Sequence, residues 1–352
     1  MQTIHEIYFR NSNHMKELSN NSIDLVVTSP PYPMIEMWDH LFSRANEEIG
    51  RSLQAKKGKR AFELMHNELN KVWSECIRVV KPGGYVCINI GDATRKIDST
   101  FQLFPNHVKI TNFFQNSGFI SLPFILWRKP TNSPTKFLGS GMLPPNAYVT
   151  LEHEYILIYR KGFKIRKFKP KFEIRYNSAY FWEERNKWFS DLWTDVKGIS
   201  QNIEKDELNS ELRNRSAAFP LEIPYRLINM FSLIGDNVLD PFWGTGTTTL
   251  AAIGSARNSI GYELNSDFNN LFLQELEKIK TLVDLIYTKR IKQHLQFIKD
   301  YTKKRGVPKY LSNNYGFPII TKQEQDILFY DVKSISINSN KVSIKHTKYK
   351  LE

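Results

Sequence analysis

The stretch Thr28-Ser29-Pro30-Pro31-Tyr32 combines residue types that could bind and polarise a planar base. It follows an apolar run, residues 23–27, whose β-branched members predict a short buried strand. The prolines end that strand, because they lack a backbone donor and disfavour helix before them. Ligands of open α/β sheets bind at the carboxyl ends of strands. We therefore expect Tyr32 to stack on a base while Ser29, and a carbonyl of Ser29 or Pro30, accept hydrogen bonds from its amino group. A turn that merely ends a strand is the structural alternative.

A second stretch, Asp240-Pro241-Phe242-Trp243-Gly244-Thr245-Gly246, lies between a predicted strand and a predicted helix. Its glycines would let a ligand approach backbone amides closely. The G-x-G spacing has no third glycine, so it fits a nicotinamide fingerprint poorly. Glu263 ends the next apolar strand, where a carboxylate could accept both hydroxyls of a ribose. A tight strand-to-helix turn is the structural alternative here.

Composition narrows the class of protein. The 352 residues have a net charge of +13 and a pI near 9.4, so polyanions are natural partners. Cys76 and Cys87 stand in apolar surroundings without metal-ligand spacing, which predicts a reducing compartment, no disulfide framework and no metal site. No signal-peptide pattern and no apolar run of about 18 residues are present. We expect a soluble, cytoplasmic protein without a membrane segment.

Alternating helix and strand patterns predict a doubly wound sheet. Helical spacing covers residues 61–80 and 101–117, and apolar strands cover 85–90, 119–127 and 154–159. Residues 131–149 favour neither state and predict a long loop. From residue 162 the alternation stops, and basic residues interleave with aromatic ones. Such a mixture suits phosphates and bases, although a small subdomain with its own aromatic core is the alternative.

Together these motifs resemble the amino-group DNA methyltransferases, which act on cytosine N4 or adenine N6. The resemblance spans about residues 5–275. Residues 28–32 match the catalytic [DNS]-P-P-[YFW] motif, and residues 240–246 match the S-adenosylmethionine loop. Supporting blocks follow in the family's order: Arg78–Gly84, Trp127–Pro130, Glu152–Tyr155, Ala218–Pro220 and Leu227–Ile228.

The resemblance implies an α/β, S-adenosylmethionine-dependent methyltransferase fold: a doubly wound, mainly parallel, seven-stranded sheet. Because the catalytic motif precedes the cofactor motif, the order is similar to the circularly arranged β group. The expected segments are a catalytic half (1–161), a target recognition region (162–214), a cofactor-binding half (215–284) and a basic C-terminal extension (285–352). We expect the extension to contact DNA or to dimerise; a solvated helix with a small β unit is the alternative.

The resemblance also assigns residues and partners. Ser29, Pro30, Pro31 and Tyr32 would be catalytic. S-adenosyl-L-methionine would contact Asp240, Pro241, Phe242, Gly244, Thr245, Gly246, Glu263 and Phe219. Double-stranded DNA would be the substrate, and its predicted contacts are Arg128, Lys129, Lys164, Arg166, Lys167, Lys169 and Lys171.

Serine at position 29 is similar to the cytosine-N4 members, so we expect N4 methylation after base flipping, in a restriction-modification system with a cognate endonuclease. Adenine N6 is the alternative within the family, and RNA is a less favoured substrate. A non-catalytic DNA-binding module and a nicotinamide oxidoreductase are the alternatives from other classes. Cofactor binding and methyl transfer discriminate among them.

Overall fold

The computed structural model describes residues 1–129, 138–197 and 219–351. Two predicted blocks lie partly outside these ranges, because they contain Pro130 and Ala218. The end of the predicted recognition region, 198–214, lies outside them entirely. The strands are β1 (Gln2–Phe9), β2 (Ile23–Thr28), β3 (Val80–Ile90), β4 (Ala93–Ile97), β5 (Thr100–Phe104), β6 (Phe119–Ser121), β7 (Ile125–Arg128), β8 (Leu138–Gly139), β9 (Ala147–Tyr148), β10 (His153–Lys161), β11 (Leu192–Trp193), β12 (Asn237–Asp240), β13 (Asn258–Glu263), β14 (Tyr310–Leu311), β15 (Pro318–Ile319), β16 (Tyr330–Asn338) and β17 (Lys341–Lys348).

The helices are α1 (Asp39–Ala45), α2 (Glu47–Gln54), α3 (Gly58–Val79), α4 (Asn106–Asn116), α5 (Glu173–Asn177), α6 (Trp182–Trp188), α7 (Glu222–Phe231), α8 (Thr247–Ile253), α9 (Phe268–Glu277) and α10 (Ile279–Arg305), with 3-10 turns at Glu36–Trp38 and Lys322–Glu324. Within these ranges, no helix has the length and apolarity needed to cross a bilayer.

One large sheet organises the described residues, in the order β11-β7-β10-β3-β2-β12-β13-β1-β17-β16, with β6 also paired to β10. The strands β3, β2, β12, β13 and β1 run parallel, and β10 is antiparallel to both of its neighbours. The predicted α/β, mainly parallel fold is therefore confirmed. The expected seven strands extend from β7 to β1. The sheet is wider, because β11 extends one edge and β17 and β16 extend the other.

Central strand β2 is buried at every position, because helices cover both faces of the sheet. Val26 belongs to the cluster that includes Trp73 of α3 and Phe114 of α4. Leu25 and Val27 belong to the opposite cluster, which includes Ile228 of α7. Only the end of β2 can therefore present side chains to a ligand.

Two predicted elements were too long. Residues 101–104 belong to a β4–β5 hairpin, and the helix begins only at Asn106. Pro105 explains the difference, since a proline disfavours helix in the residue before it. The predicted strand 119–127 is split into β6 and β7 on either side of Pro123, which lacks the ladder donor. In the predicted loop, β8 and β9 form a short pair, and residues 130–137 lie outside the described ranges.

The C-terminal residues complete one edge of the sheet. Strand β17 pairs antiparallel with β1, and Ile344 shares a core cluster with Tyr287 and Ile291 of α10. Thr3 Oγ1 lies 2.9 Å from His5 Nε2 and 2.8 Å from His346 Nε2. The four-segment division of the chain stays a prediction, but β16 and β17 belong to the main sheet, and α10 shares a core cluster with them.

The predicted basic extension also contributes a buried cation. Arg290 of α10 is 7% exposed and donates to both carboxylate oxygens of Glu184, at 2.6 and 2.7 Å. Its guanidinium also lies over the rings of Trp188 and Phe329. This arginine joins α10 to α6 and is not available to a polyanion.

Candidate active site

The predicted catalytic stretch begins directly after β2, at the carboxyl edge of the parallel strands. Ser29 Oγ and the Tyr32 hydroxyl lie 3.2 Å apart, so the two prolines form a short turn between them. The Tyr32 ring packs against the end of β3, where an ideal Cβ on Gly91 would lie only 2.9 Å from a ring carbon. Glycine at this position therefore allows the tyrosine to approach the sheet.

Polar groups of β3 and β10 contact the Tyr32 hydroxyl. It donates to Glu154 Oε2 at 2.8 Å and accepts from Asn89 Nδ2 at 2.9 Å. Asn89 Nδ2 also donates to Glu154 Oε2, and Lys129 Nζ donates to Glu154 Oε1, at 2.7 and 2.8 Å. Burial, reinforced by the Glu154 charge, raises the pKa of Tyr32 well above its ordinary value. The phenol therefore stays protonated at neutral pH.

Asn106 supports the chain on both sides of this network. Its Nδ2 donates to Pro33 O at 3.1 Å and to Gly91 O at 2.9 Å. Its Oδ1 lies 2.9 Å from His66 Nε2, and burial lowers the pKa of His66 to about 4. A neutral histidine can donate from this nitrogen, so it holds the Asn106 amide in one orientation. That orientation supports the turn at residues 29–32, which we name the catalytic turn after its predicted role.

The predicted cofactor loop connects β12 to α8. Gly244 and Gly246 have φ of 54° and 80°, in the region that favours glycine. An ideal Cβ on Gly246 would lie 2.6 Å from the Phe272 ring, so that glycine serves packing. A Cβ on Gly244 would meet nothing closer than Phe242 O at 4.0 Å, so Gly244 borders open space. The loop therefore leaves room beside its backbone for a ligand.

Glu263 lies across from this loop and accepts three backbone hydrogen bonds. Gly244 N donates to Oε2 at 2.9 Å, while Leu264 N and Asn265 N donate to Oε1 at 2.7 and 2.9 Å. Burial raises the pKa of Glu263 although these donors oppose the shift. Oε2 has one donor and therefore retains acceptor capacity for a hydroxyl group, as a ribose contact would require.

Asp240 joins the two motifs. Thr28 Oγ1 donates to its Oδ1 and Thr248 Oγ1 to its Oδ2, both at 2.6 Å. Thr28 immediately precedes Ser29, and Thr248 belongs to α8. Asp240 is 2% exposed, and burial raises its pKa to about 6. Its carboxylate is thus occupied by internal partners, and it positions the cofactor loop against the catalytic turn.

Three of the remaining predicted cofactor residues belong to the same loop, and the fourth, Phe219, lies in a core cluster. Phe242 is half-buried against Trp73, with ring centroids 5.6 Å apart. Thr245 Oγ1 lies 3.4 Å from Thr247 Oγ1, and Pro241 is buried. Phe219 packs into the cluster beneath α7. The glycine loop, the apolar Phe242 ring and the Glu263 carboxylate together fit a cationic nucleoside cofactor.

The predicted DNA contacts fall into two places. Arg128 and Lys129 follow β7 at the catalytic edge, where they pair with Glu152 and Glu154. The backbone of Lys164 lies at the opposite edge, next to the start of β3. An ideal Cβ on Gly83 there would lie 3.0 Å from Lys164 O. The side chains of the next predicted contacts, Lys167, Lys169 and Lys171, are exposed.

Arg166 has partners within the protein, and its predicted DNA contact stays a prediction. Its guanidinium donates to Asp236 at 2.5 and 2.9 Å and lies 3.4 Å from Asp24. Asp24 and Thr28 stand at opposite ends of β2, about 13 Å apart at the usual strand rise. Arg166 is therefore engaged by buried carboxylates away from the catalytic turn.

Sequence reasoning assigned no role to Glu154, Asn89, Thr28 or Thr248. Glu154 and Asn89 are polar residues at buried positions next to the apolar runs of β10 and β3. Buried polar groups in such strands need partners, so their isolation was the available signal. Thr28 is the first residue of the catalytic stretch and Thr248 follows the cofactor loop, and neither threonine gave a separate signal.

Known DNA methylases are similar to this chain in sequence. The sequence model of the N6/N4 DNA methylase family matches residues 23–274, more than half of the chain. The type II methyltransferase M.MthZI of Methanothermobacter thermautotrophicus is 56% identical over 333 residues, which are 94% of this chain and 91% of that protein. M.MjaI of Methanocaldococcus jannaschii is 54% identical over 78% of this chain and 91% of its own length.

Solved structures share the fold. A protein of Thermus thermophilus, described as a DNA modification methylase and complexed with S-adenosyl-L-methionine, aligns with a TM-score of 0.60 and 29% identity, covering 78% of this chain and 94% of that chain. The cytosine-N4-specific PvuII DNA methyltransferase aligns with a TM-score of 0.53 at 19% identity, over 80% and 93% of the two chains, which supports the fold alone.

Proposed function

This chain belongs to the N6/N4 DNA methylase family, and from that premise we propose that it methylates the exocyclic N4 of cytosine in duplex DNA. It is a DNA methyltransferase that uses S-adenosyl-L-methionine. The relatives named above are type II methyltransferases. We extend this to a modification enzyme that protects host DNA from a restriction endonuclease with the same target sequence.

The hydroxyl of Ser29 is the observation that supports the choice of base. It stands at the carboxyl end of β2, where Asp240 connects the catalytic turn to the cofactor loop. A serine at this place in Ser-Pro-Pro-Tyr is similar to the cytosine-N4 members. An adenine-N6 enzyme would use the same geometry, so the base is identified by experiment.

The chemistry depends on the amino group. Its nitrogen shares a lone pair with the ring, which makes it a weak nucleophile. Hydrogen bonds to Ser29 Oγ and to a carbonyl of the Ser29-Pro30 segment would draw the nitrogen towards tetrahedral geometry. S-adenosyl-L-methionine supplies an electrophilic methyl group on its sulfonium. Positioning and electrostatics therefore account for most of the catalysis.

Access to the amino group requires base flipping, since the target nitrogen is buried in a duplex. The Tyr32 ring would stack on the flipped base, and the hydrogen bonds of its hydroxyl to Glu154 and Asn89 support this role by fixing the ring. Glu263 and the Gly244–Gly246 loop would hold the nucleoside part of the cofactor. Arg128 and Lys129 are the proposed phosphate contacts at this edge.

Methyl transfer from tritiated S-adenosyl-L-methionine to unmodified plasmid DNA tests the proposal. Digestion to nucleosides should place the label in N4-methylcytosine, and label in N6-methyladenine would overturn the base assignment. Ser29→Ala should lower the transfer rate about 10²-fold or more, since it removes the acceptor for the amino group. Ser22→Ala is the matched control, because Ser22 Oγ donates to Ser19 O beyond the other end of β2.

A further inference from the structure

A hydrogen-bonded chain runs from Ser29 to a buried carboxylate. Ser29 Oγ lies 3.2 Å from the Tyr32 hydroxyl, and that hydroxyl lies 2.8 Å from Glu154 Oε2. Glu154 is 7% exposed and lies in β10, far along the chain from the catalytic turn. The chain therefore connects the group that would touch the substrate with a buried proton acceptor.

The donors in this chain can point in one direction only. An ionised carboxylate accepts hydrogen bonds and cannot donate, so Tyr32 must give its single proton to Glu154. The Asn89 amide nitrogen donates to both Tyr32 and Glu154, which occupies a further acceptor site on the phenol. Between Ser29 and Tyr32, the remaining donor is the serine hydroxyl. Ser29 Oγ therefore turns its lone pairs towards the substrate.

We propose that Glu154 is a positioning residue: through Tyr32 it makes Ser29 a hydrogen-bond acceptor, and it takes up the proton released by methyl transfer. This inference rests on the proposed function and applies to either target base. Without the carboxylate, Tyr32 could donate to Ser29, and the serine proton could then point at the amino group. Two donors would face each other, and the target nitrogen would not be activated.

The proton transfer balances. The amino nitrogen forms a bond to the methyl carbon as the carbon–sulfur bond breaks, and the breaking pair stays on sulfur as a neutral thioether. The product nitrogen then carries one extra proton and a positive charge. That proton moves to Ser29 Oγ while the serine proton moves to Tyr32 and the tyrosine proton to Glu154 Oε2. The nitrogen keeps the bonding pair, and Glu154 ends neutral.

Neighbouring groups fit this role. Lys129 Nζ contacts Oε1, the oxygen that does not face Tyr32, and its side chain is half exposed. The carboxylate charge is therefore balanced without occupying the relay oxygen. The raised pKa of Tyr32 is consistent with a phenol that passes a proton on and does not persist as a phenolate.

Single-turnover methyl transfer by the full chain, measured across pH, tests the proposal. Glu154→Gln and Tyr32→Phe should each slow transfer about 10²-fold, the usual contribution of a positioned proton acceptor. The double variant should be no slower than either single variant, because both break one chain. The pH profiles of both variants should differ from that of the wild type in the same way, because each substitution removes the same route for the proton.

Glu152→Gln is the matched control: it removes a carboxylate two residues away that pairs with the exposed Arg128. It should leave both the rate and the pH profile unchanged. Cofactor affinity and thermal unfolding of each variant separate lost chemistry from lost folding. If Glu154→Gln does not fold, Tyr32→Phe still decides, because it leaves the buried carboxylate in place. The proposal is overturned if Tyr32→Phe keeps the wild-type pH profile, or if the two losses add. Label on adenine would overturn the base assignment and leave this comparison intact.

Discussion

The carboxylates at the amino end of the parallel strands have different partners from those beside the cofactor loop at the carboxyl end. At the amino end, Asp24 accepts from Lys81 and lies near Arg166, which also binds Asp236. At the carboxyl end, Asp240 accepts from two threonine hydroxyls and a backbone N–H, and Glu263 accepts from three backbone N–H groups. Among the described residues, neither of these last two carboxylates forms an ion pair with a cationic side chain.

The difference has an electrostatic consequence. Burial of a carboxylate is costly unless a positive charge or strong hydrogen bonds compensate for it. At the carboxyl end the compensation is partial, because the pKa of both Asp240 and Glu263 is raised by burial. A cationic ligand beside the glycine loop would complete it. At the amino end, cationic side chains of the protein neutralise the carboxylates. The carboxylates beside the glycine loop lack such partners and favour binding of a cationic ligand.

The largest expected effect is on pH-dependent stability at Asp240. Folding raises its pKa from 3.8 to about 6, so the folded state disfavours ionisation and stability is lost as pH rises through this range. A difference of about two pKa units corresponds to about 3 kcal/mol. Asp240→Asn should therefore gain about 3 kcal/mol relative to wild type between pH 4 and pH 7, measured by urea unfolding. The exposed Asp191→Asn is the control, and a gap between Asp240→Asn and wild type that stays constant with pH would contradict the assignment.

A smaller effect is expected at the amino end. Arg166→Met should lower the free energy of unfolding by about 2 kcal/mol, because it strips a cation from two buried carboxylates while Lys81 remains. The loss is below that of a fully buried pair because the Arg166 side chain is 40% exposed. Cofactor affinity and DNA affinity should not change. Arg128→Met, at an exposed pair, should cost less than about 1 kcal/mol. Weaker DNA binding by Arg166→Met would instead support the DNA contact that the sequence predicts for Arg166.

The smallest effect concerns cofactor affinity at Glu263. Glu263→Gln keeps the size of the side chain but replaces one acceptor oxygen by a donor, so a backbone N–H or a ribose hydroxyl loses its partner. The Kd for S-adenosyl-L-methionine should rise about 10-fold, as expected for one charge-assisted hydrogen bond. Calorimetric titration measures this, with the exposed Glu277→Gln as the control. An unchanged Kd would remove Glu263 from the cofactor site.

These contrasts also explain what could be predicted from the sequence. Ser29 and Gly244 follow strands whose local patterns are strong, and strand ends of a parallel sheet converge on one edge. Their meeting at Asp240 confirms that inference about the fold. The basic run around Arg166 does not distinguish two roles, because a cation that faces a polyanion and one that neutralises an internal carboxylate leave the same pattern in a sequence.

The Glu154 network was not predictable by the same reasoning. Its members come from β3, β10 and the catalytic turn, and they meet only when β10 aligns antiparallel beside β3. Pairing register between distant strands is a property of the whole sheet, and no local pattern specifies it. The added strands β17 and β16 were missed for the same reason, since β17 meets β1 across nearly the whole chain.

Strand β1 lies between two partners that are both synthesised late. His5 aligns with Ser259 of β13, 254 residues further on, and with Val342 of β17. The ribosome therefore releases β1 long before β13 and β17 have been synthesised. Until then, the apolar residues and backbone groups of β1 have no strand to pair with. An unpaired strand is a template for association with other chains. Closure of this edge thus waits until β17 has been made, and until then the nascent chain carries β1 without its partners.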